Sequence, residues 1–265
     1  MNKSRAQIIG TIGPASQDRE NISQMIDSQM DVVRLNFSWG DYDSYQKNIE
    51  DIRSLAEEKG LVVPIIQDLS GPRIQEEGSH KFDSDSTSPI TEKDKKDLEF
   101  GSKNNLEYVA LSFVGSASDV EELKSVLNEL NYSAKIIAKI ERQKAIDNFD
   151  EILNSADAIM IARGDLGNEV PIEKIPFVQA DLIKKANTFG KPVIVATEML
   201  PSMIENNIPT RSDVSDVSNA ILQGADVLMM SNETAVGKYP VESVKVMEKI
   251  VLEAEGHVNR GYNLL

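Results

Sequence analysis

Lys139-Ile140-Glu141, Ala162-Arg163-Gly164-Asp165-Leu166-Gly167 and Ala196-Thr197-Glu198-Met199-Leu200 each follow an apolar, partly β-branched run: Lys135–Ala138, Ala158–Ile161 and Pro192–Val195. Such runs read as buried parallel strands, so a lysine, two carboxylates and a threonine fall at strand C-terminal ends. In a β/α barrel that is the face that carries the active site. Two acidic oxygens suit a hard cation such as Mg²⁺, and a lysine beside them neutralises charge on a substrate anion. The residue types and their placement describe an enzyme site.

Eight runs of this kind recur along the chain: Gln7–Thr11, Val32–Phe37, Val63–Leu69, Tyr108–Phe113, Lys135–Ile140, Ala158–Ala162, Pro192–Thr197 and Val227–Ser231. Between them lie stretches with apolar residues three and four apart, such as Val120–Leu130, Ile175–Phe189 and Val241–Glu255. Ser116 and Asp119 stand where a cap for the first would be. Strand–helix alternation means parallel strands with right-handed crossovers, and eight repeats favour closure into a (β/α)8 barrel. An open doubly wound sheet would carry a Gly-rich phosphate loop after its first strand, and Gly10–Ser16 lacks that fingerprint. Residues 76–88 break the rhythm. They are polar, Ser- and Asp-rich and aperiodic, and read as a flexible surface loop.

The 265 residues suit a single barrel domain, which needs about 250. A formal net charge of −15 argues against a nucleic-acid partner and requires any anion site to be locally basic. The absence of cysteine excludes disulfides, thiolate nucleophiles and cysteine-ligated zinc. No leader-like or membrane-spanning apolar segment is visible, which leads to the expectation of a cytoplasmic protein. The two histidines, His80 and His257, stand in polar surroundings, so catalysis falls to carboxylate, lysine, hydroxyl and metal.

The motifs together resemble the barrel domain of the pyruvate kinases over nearly the whole chain. They include TIGPAS at 11–16, VVRLNFS at 32–38, DLSGP at 68–72, EKDKKDLEFG at 92–101, KIE at 139–141 and ARGDLG at 162–167. GKPVIVATEML at 190–200, PTRSDVSDVSNAILQGAD at 209–226 and SNETAVGKYP at 231–240 complete the series. The resemblance implies phosphoryl transfer from phosphoenolpyruvate to ADP through a metal-stabilised enolate. Glu141 and Asp165 match the divalent-metal ligands, for Mg²⁺ or Mn²⁺. Lys139 matches the lysine at the transferring phosphoryl group, Arg34 the phosphate-binding arginine, and Thr197 the hydroxyl near the enolate methylene carbon. Ala162, Arg163, Gly164 and Asp165 match the turn that holds the substrate carboxylate, with Arg163 itself reading as an ion-pair residue. Asn36, Ser38, Asp68 and the Leu69 carbonyl match the monovalent-cation site.

Several positions depart from the family pattern. Arg73 replaces the glutamate of potassium-dependent members, which implies a fixed charge in place of bound K⁺. Trp39 replaces a nucleotide-contacting histidine, Gln75 an arginine, Glu198 a glutamine and Asn232 a glycine. A lost charge-assisted contact costs roughly 1.5–3 kcal/mol, so the nucleotide half is expected to be weakened while the metal half is whole. Residues 76–88 stand where the family inserts its lid domain, and the expectation is a bare barrel over 1–265 without lid or C-terminal domain. The family pairs barrels through their outer helices, so a homodimer is an open expectation. Two other functions remain in view: metal-dependent enolate chemistry without nucleotide, of the oxaloacetate decarboxylase or phosphoenolpyruvate hydrolase type, and a noncatalytic regulatory subunit.

Overall fold

Each of the eight apolar runs becomes a strand. A computed structural model describes residues 3–76 and 79–265, and of residues 75, 76 and 79–81 the backbone alone. The barrel strands are β1 (Gln7–Ile12), β2 (Val32–Asn36), β3 (Ile65–Asp68), β6 (Tyr108–Leu111), β7 (Lys135–Ile140), β8 (Ala158–Ala162), β9 (Val193–Ala196) and β10 (Val227–Met230). Two further strands, β4 (Arg73–Glu76) and β5 (Ser79–Phe82), form a separate antiparallel ribbon. The eight barrel strands are parallel to their neighbours, and the sheet closes where Gln7 of β1 meets Val227 of β10. Among the described residues no helix is long and apolar enough to cross a membrane.

Alternation within the runs decides what reaches the site. Ile9, Ile66, Ala110, Ile137, Met160, Ile194 and Met229 belong to one buried cluster that fills the barrel. Their neighbours Ile8, Ile65, Val109, Ile136, Ile159, Val193 and Leu228 belong to a second, packed against the helices. Both faces are buried, which is why the runs are continuous rather than alternating apolar and polar. Side chains two apart share a face. Carried forward from Ile9, Val32, Ile66, Ala110 and Ile137, the inward parity reaches Thr11, Arg34, Asp68, Ser112 and Lys139. All five are buried, so the interior changes from apolar to charged in its last layer.

Helix starts follow local chemistry. Thr91 and Asp94 exchange backbone and side-chain bonds ahead of helix Glu92–Lys103 (Asp94 N to Thr91 Oγ1 3.1 Å, Thr91 N to Asp94 Oδ2 2.8 Å). Before helix Ala117–Glu129, the Asp119 carboxylate accepts from the amides of Gly115 and Ser116 at 2.6 and 3.0 Å. The reading of 76–88 as irregular throughout is corrected by β5, which pairs in register from Arg73↔Phe82 to Glu76↔Ser79. The strand was hidden because it lacks alternation: main-chain pairing and one docked aromatic, Phe82, hold it. Glu77 and Gly78 lie outside the described residues, as do the side chains on which the readings of Gln75 and His80 fall. His257 is exposed, as expected.

Candidate active site

Four charged side chains meet at the C-terminal mouth of the barrel. Arg34 donates from Nε to Asp68 Oδ2 at 2.6 Å and from Nη1 to Thr11 Oγ1 at 3.1 Å. The other oxygen of Asp68 accepts from Lys139 Nζ at 3.0 Å, and the same ammonium donates to Ser112 Oγ at 2.7 Å. Glu141 Oε1 lies 2.9 Å from Lys139 Nζ. Asp68 and Glu141 are 1 and 2% exposed, and Arg34 and Lys139 are each 6% exposed. Charges this deep persist only in groups, because an unpaired one would cost several kcal/mol.

The network sets the protonation states. Burial alone would raise Asp68, but the positive charges of Arg34 and Lys139 outweigh it and hold this carboxyl below its usual range. Burial would lower Lys139, but Asp68 and Glu141 reverse that and keep it firmly protonated. Glu141 is pushed upward, first by burial and then by the like charge of Asp165, against the pull of Lys139. A further positive charge at this point would relieve Glu141 and Asp165 together.

Glu141 is also the residue with acceptor capacity to spare. Its Oε2 accepts from the Phe113 amide at 2.7 Å, while its buried Oε1 makes the Lys139 contact without a directed hydrogen bond. A buried carboxylate oxygen so placed, in the field of a second carboxylate, fits a divalent cation. Among the described residues no cluster of three or more His, Cys, Asp or Glu could hold a metal. Mg²⁺ characteristically takes one or two protein carboxylates and draws its other ligands from substrate phosphate and water. The donor set therefore fits Mg²⁺ or Mn²⁺ held in part by substrate.

Thr197 follows β9 with φ 70°, and Glu198 follows it with φ 54°. Left-handed backbone at a β-branched residue is strained and persists only when its surroundings impose it. Arg163 imposes it from one side, donating to the Thr197 carbonyl from Nη2 at 2.7 Å and to that of Glu198 at 3.0 Å while paired with Asp216 at 2.7 Å. Glu233 imposes it from the other, with Oε1 accepting from the amides of Met199 and Leu200 at 3.1 and 3.0 Å. The turn points Thr197 Oγ1 at the Gly164 amide, which donates to it at 2.9 Å. Arg163 thus acts through the Thr197 turn, and the Gly164 amide serves Thr197 in this arrangement. Arg34, Lys139, Gly164, Asp165 and Thr197 all line one cleft of about 420 Å³.

The oxygens matched to a monovalent cation are not equivalent. Both oxygens of Asp68 are engaged, the Leu69 carbonyl accepts from Ser112 Oγ at 2.8 Å, and Asn36 Oδ1 accepts from the Ser38 amide at 3.2 Å. Ser38 Oγ is buried without a hydrogen-bond partner. Arg73 turns both Nε and Nη2 to the Ser70 carbonyl, at 2.9 and 2.6 Å, and its side chain lines the same cleft.

A second pocket of about 630 Å³ adjoins the first and shares Arg34, Asn36, Trp39, Ser231 and Asn232 with it. Trp39 stands 60% exposed between them. Among the described residues the only basic one lining this pocket is Arg34, already paired with Asp68. Three contributors escaped the sequence reading: Ser112, Glu233 and Phe113. Inward parity after Tyr108 and Ala110 could have found Ser112. The other two lie within matched segments but act through backbone amides across strands, a role that no local pattern reveals.

The fold and site combine a closed β/α barrel with a lysine–carboxylate network and a strained threonine turn at its C-terminal mouth. Comparison with known proteins narrows the class. The family described as the pyruvate kinase barrel domain matches residues 3–88 and 84–244. The pyruvate kinase of Sporosarcina psychrophila is 37% identical over 338 aligned residues, covering 96% of this chain and 58% of the relative. That of Thermococcus litoralis is 38% identical over 342, covering 98% and 72%. The solved structure of a pyruvate kinase from Cryptosporidium parvum superposes with a TM-score of 0.91 at 32% identity, over 97% of this chain and 70% of that one. The chain belongs to the pyruvate kinase family. It spans 58% of the length of the Sporosarcina relative, and the 338-residue alignment exceeds the 265 residues available here. That relative therefore carries residues without counterpart in this chain.

Proposed function

We propose that this protein is a pyruvate kinase-like phosphotransferase that converts phosphoenolpyruvate and ADP to pyruvate and ATP. The carrying observation is the buried Arg34–Asp68–Lys139–Glu141 network opening on the cleft that Asp165 and Thr197 also line. In a chain of net charge −15, Arg34 and Lys139 are the cations that would face a phosphoryl group, and a divalent cation on Glu141 and Asp165 would offset the carboxylates paired with them. Lys139, kept protonated by its two carboxylate neighbours, faces the charge that shifts from the phosphoryl group to the enolate oxygen. The Thr197 hydroxyl, aimed by its strained turn, stands at the face where the methylene carbon is protonated. The turn from Ala162 to Asp165 receives the substrate carboxylate. Glu141 and Asp165 would hold Mg²⁺ or Mn²⁺, which when bound supplies charge neutralisation at the transferring phosphoryl group.

Arg73 takes the place of K⁺ in this reading, supported by the prior engagement of both Asp68 oxygens by Arg34 and Lys139 and of the Leu69 carbonyl by Ser112. The domain reading is a single barrel over 1–265 with 76–88 replacing an inserted lid. The split of the family match at 84–88 supports it. A cytoplasmic setting and a homodimer through the outer helices belong to the same proposal.

One observation favours a second reading, enolate chemistry without nucleotide. The second pocket presents Trp39 and a single, already paired arginine where a nucleotide's phosphates would need charge. Pyruvate formation from phosphoenolpyruvate with Mg²⁺, followed together with ATP, separates the two. Equal amounts of pyruvate and ATP establish the kinase. Pyruvate without ATP, or pyruvate from oxaloacetate alone, establishes the other.

A further inference from the structure

The ribbon β4–β5 contacts Phe113, whose amide donates to Glu141, and Arg142, which follows Glu141. The Phe82 ring on β5 packs 5.6 Å from the Phe113 ring, tilted by 51°, and the Arg142 guanidinium lies 3.6 Å from the centroid of the Phe82 ring. Arg142 also donates from Nη1 to the Phe113 carbonyl at 3.2 Å. The entrance to the ribbon closes on the same ring: a Cβ at Gly71 would meet Phe113 Cδ2 at 2.9 Å, and Gly71 itself has φ 64°. Arg73, the first residue of β4, places its guanidinium 5.9 Å from the Phe113 centroid.

All these contacts converge on one strained peptide. Phe113 has φ 58°, a conformation that costs a non-glycine residue about 1–2 kcal/mol. That conformation goes with its amide donating to Glu141 Oε2 at 2.7 Å, leaving Oε1 as the freer oxygen. Packing from Gly71 and Phe82 and the hydrogen bond from Arg142 hold a geometry that Phe113 would not keep alone.

We infer that Phe82, with Arg142, is a positioning device for the Glu141 carboxylate, so that the short ribbon braces the divalent-cation site. The inference rests on the reading of Glu141 as a metal ligand and deepens it. Partners one step behind a metal ligand tune affinity by roughly 10–100-fold, and Phe82 acts one step further back.

The test is Mn²⁺ binding to the full chain without substrate, by paramagnetic resonance of free Mn²⁺, with thermal melting in parallel. Phe82→Ala should weaken Mn²⁺ binding about 3- to 10-fold, and Phe82→Tyr should restore it. Arg142→Met keeps a long apolar stem over the ring but removes the bond to the Phe113 carbonyl, and should show a loss of similar size. It provides the test if Phe82→Ala melts too early to assay. Wild-type affinity in both Phe82→Ala and Arg142→Met, with binding abolished in Glu141→Gln, would overturn the brace and leave the metal site standing. Unchanged binding in Glu141→Gln would overturn the metal reading and the brace together. Lower melting temperature in Phe82→Ala with unaltered Mn²⁺ affinity would mean that the ribbon is structural only.

Discussion

The two ends of the barrel use the same acidic residue types in opposite ways. At the N-terminal end, carboxylates accept from strand-entry amides: Asp31 from Ile8 at 2.9 Å, Glu107 from Ile65 at 2.8 Å, Asp157 from Ile136 at 2.8 Å and Asp226 from Val193 at 3.1 Å. Glu255 does the same for Ala6 at 2.7 Å. At the C-terminal end, Asp68 and Glu141 share Lys139, and Glu141 keeps an oxygen without a directed bond. A carboxylate that closes a strand's hydrogen bonding has its task complete on folding. One that shares a lysine with another carboxylate still has potential to offer a ligand. Strained backbone divides in part the same way, since Phe113, Thr197 and Glu198 all lie at the C-terminal mouth.

The largest effects expected from breaking this contrast are at Lys139 and Asp165. Asp165→Asn should lower the rate of pyruvate formation by about 100- to 1,000-fold, because it removes a charge that lines the cleft. Lys139→Met should abolish activity and also destabilise the fold by about 3–5 kcal/mol, since Asp68 and Glu141 lose a shared buried partner. Urea unfolding measures that loss.

At the opposite end the two effects should separate. Asp226 also accepts from Arg260 Nη1 at 2.8 Å and from the Asn263 amide at 3.1 Å, tying the C-terminal residues under the barrel. Asp226→Ala should cost about 3 kcal/mol in urea unfolding and leave kcat unchanged at a permissive temperature. Glu198→Gly should reverse the sign. Relief of a left-handed non-glycine residue stabilises by about 1 kcal/mol, while the loosened Thr197 turn lowers kcat roughly threefold to tenfold.

The smallest effect is a matter of pH. Burial pushes Asp31 up to about 6 from its ordinary 3.8, against the bonds from Ile8 and Gln29. Its folded value exceeds its unfolded one, so the associated stability is complete below about 3.8 and is lost as pH rises through about 6. Asp31→Asn should therefore raise the melting temperature by about 2–4 °C at pH 7.5 and give no gain near pH 4. A gain that is constant across that range would place the effect elsewhere.

Much of this protein was legible along the chain because the relevant rules are local. Continuous apolar runs gave all eight barrel strands, and the period of two carried Arg34, Asp68 and Lys139 inward at the end where barrel sites form. Thr91 with Asp94, and Ser116 with Asp119, marked helix starts within three residues. Closure of the barrel decided the rest. It brings Asp68 to Lys139 across 71 positions and Glu233 to the amides of Met199 and Leu200, pairings that no local pattern encodes. It also imposed left-handed backbone on Phe113 and Thr197, while pairing with β4 made a strand of residues 79–82. Residue type and period determine which groups face inward, whereas which charge meets which depends on strand order and register, and those exist only once the sheet has closed.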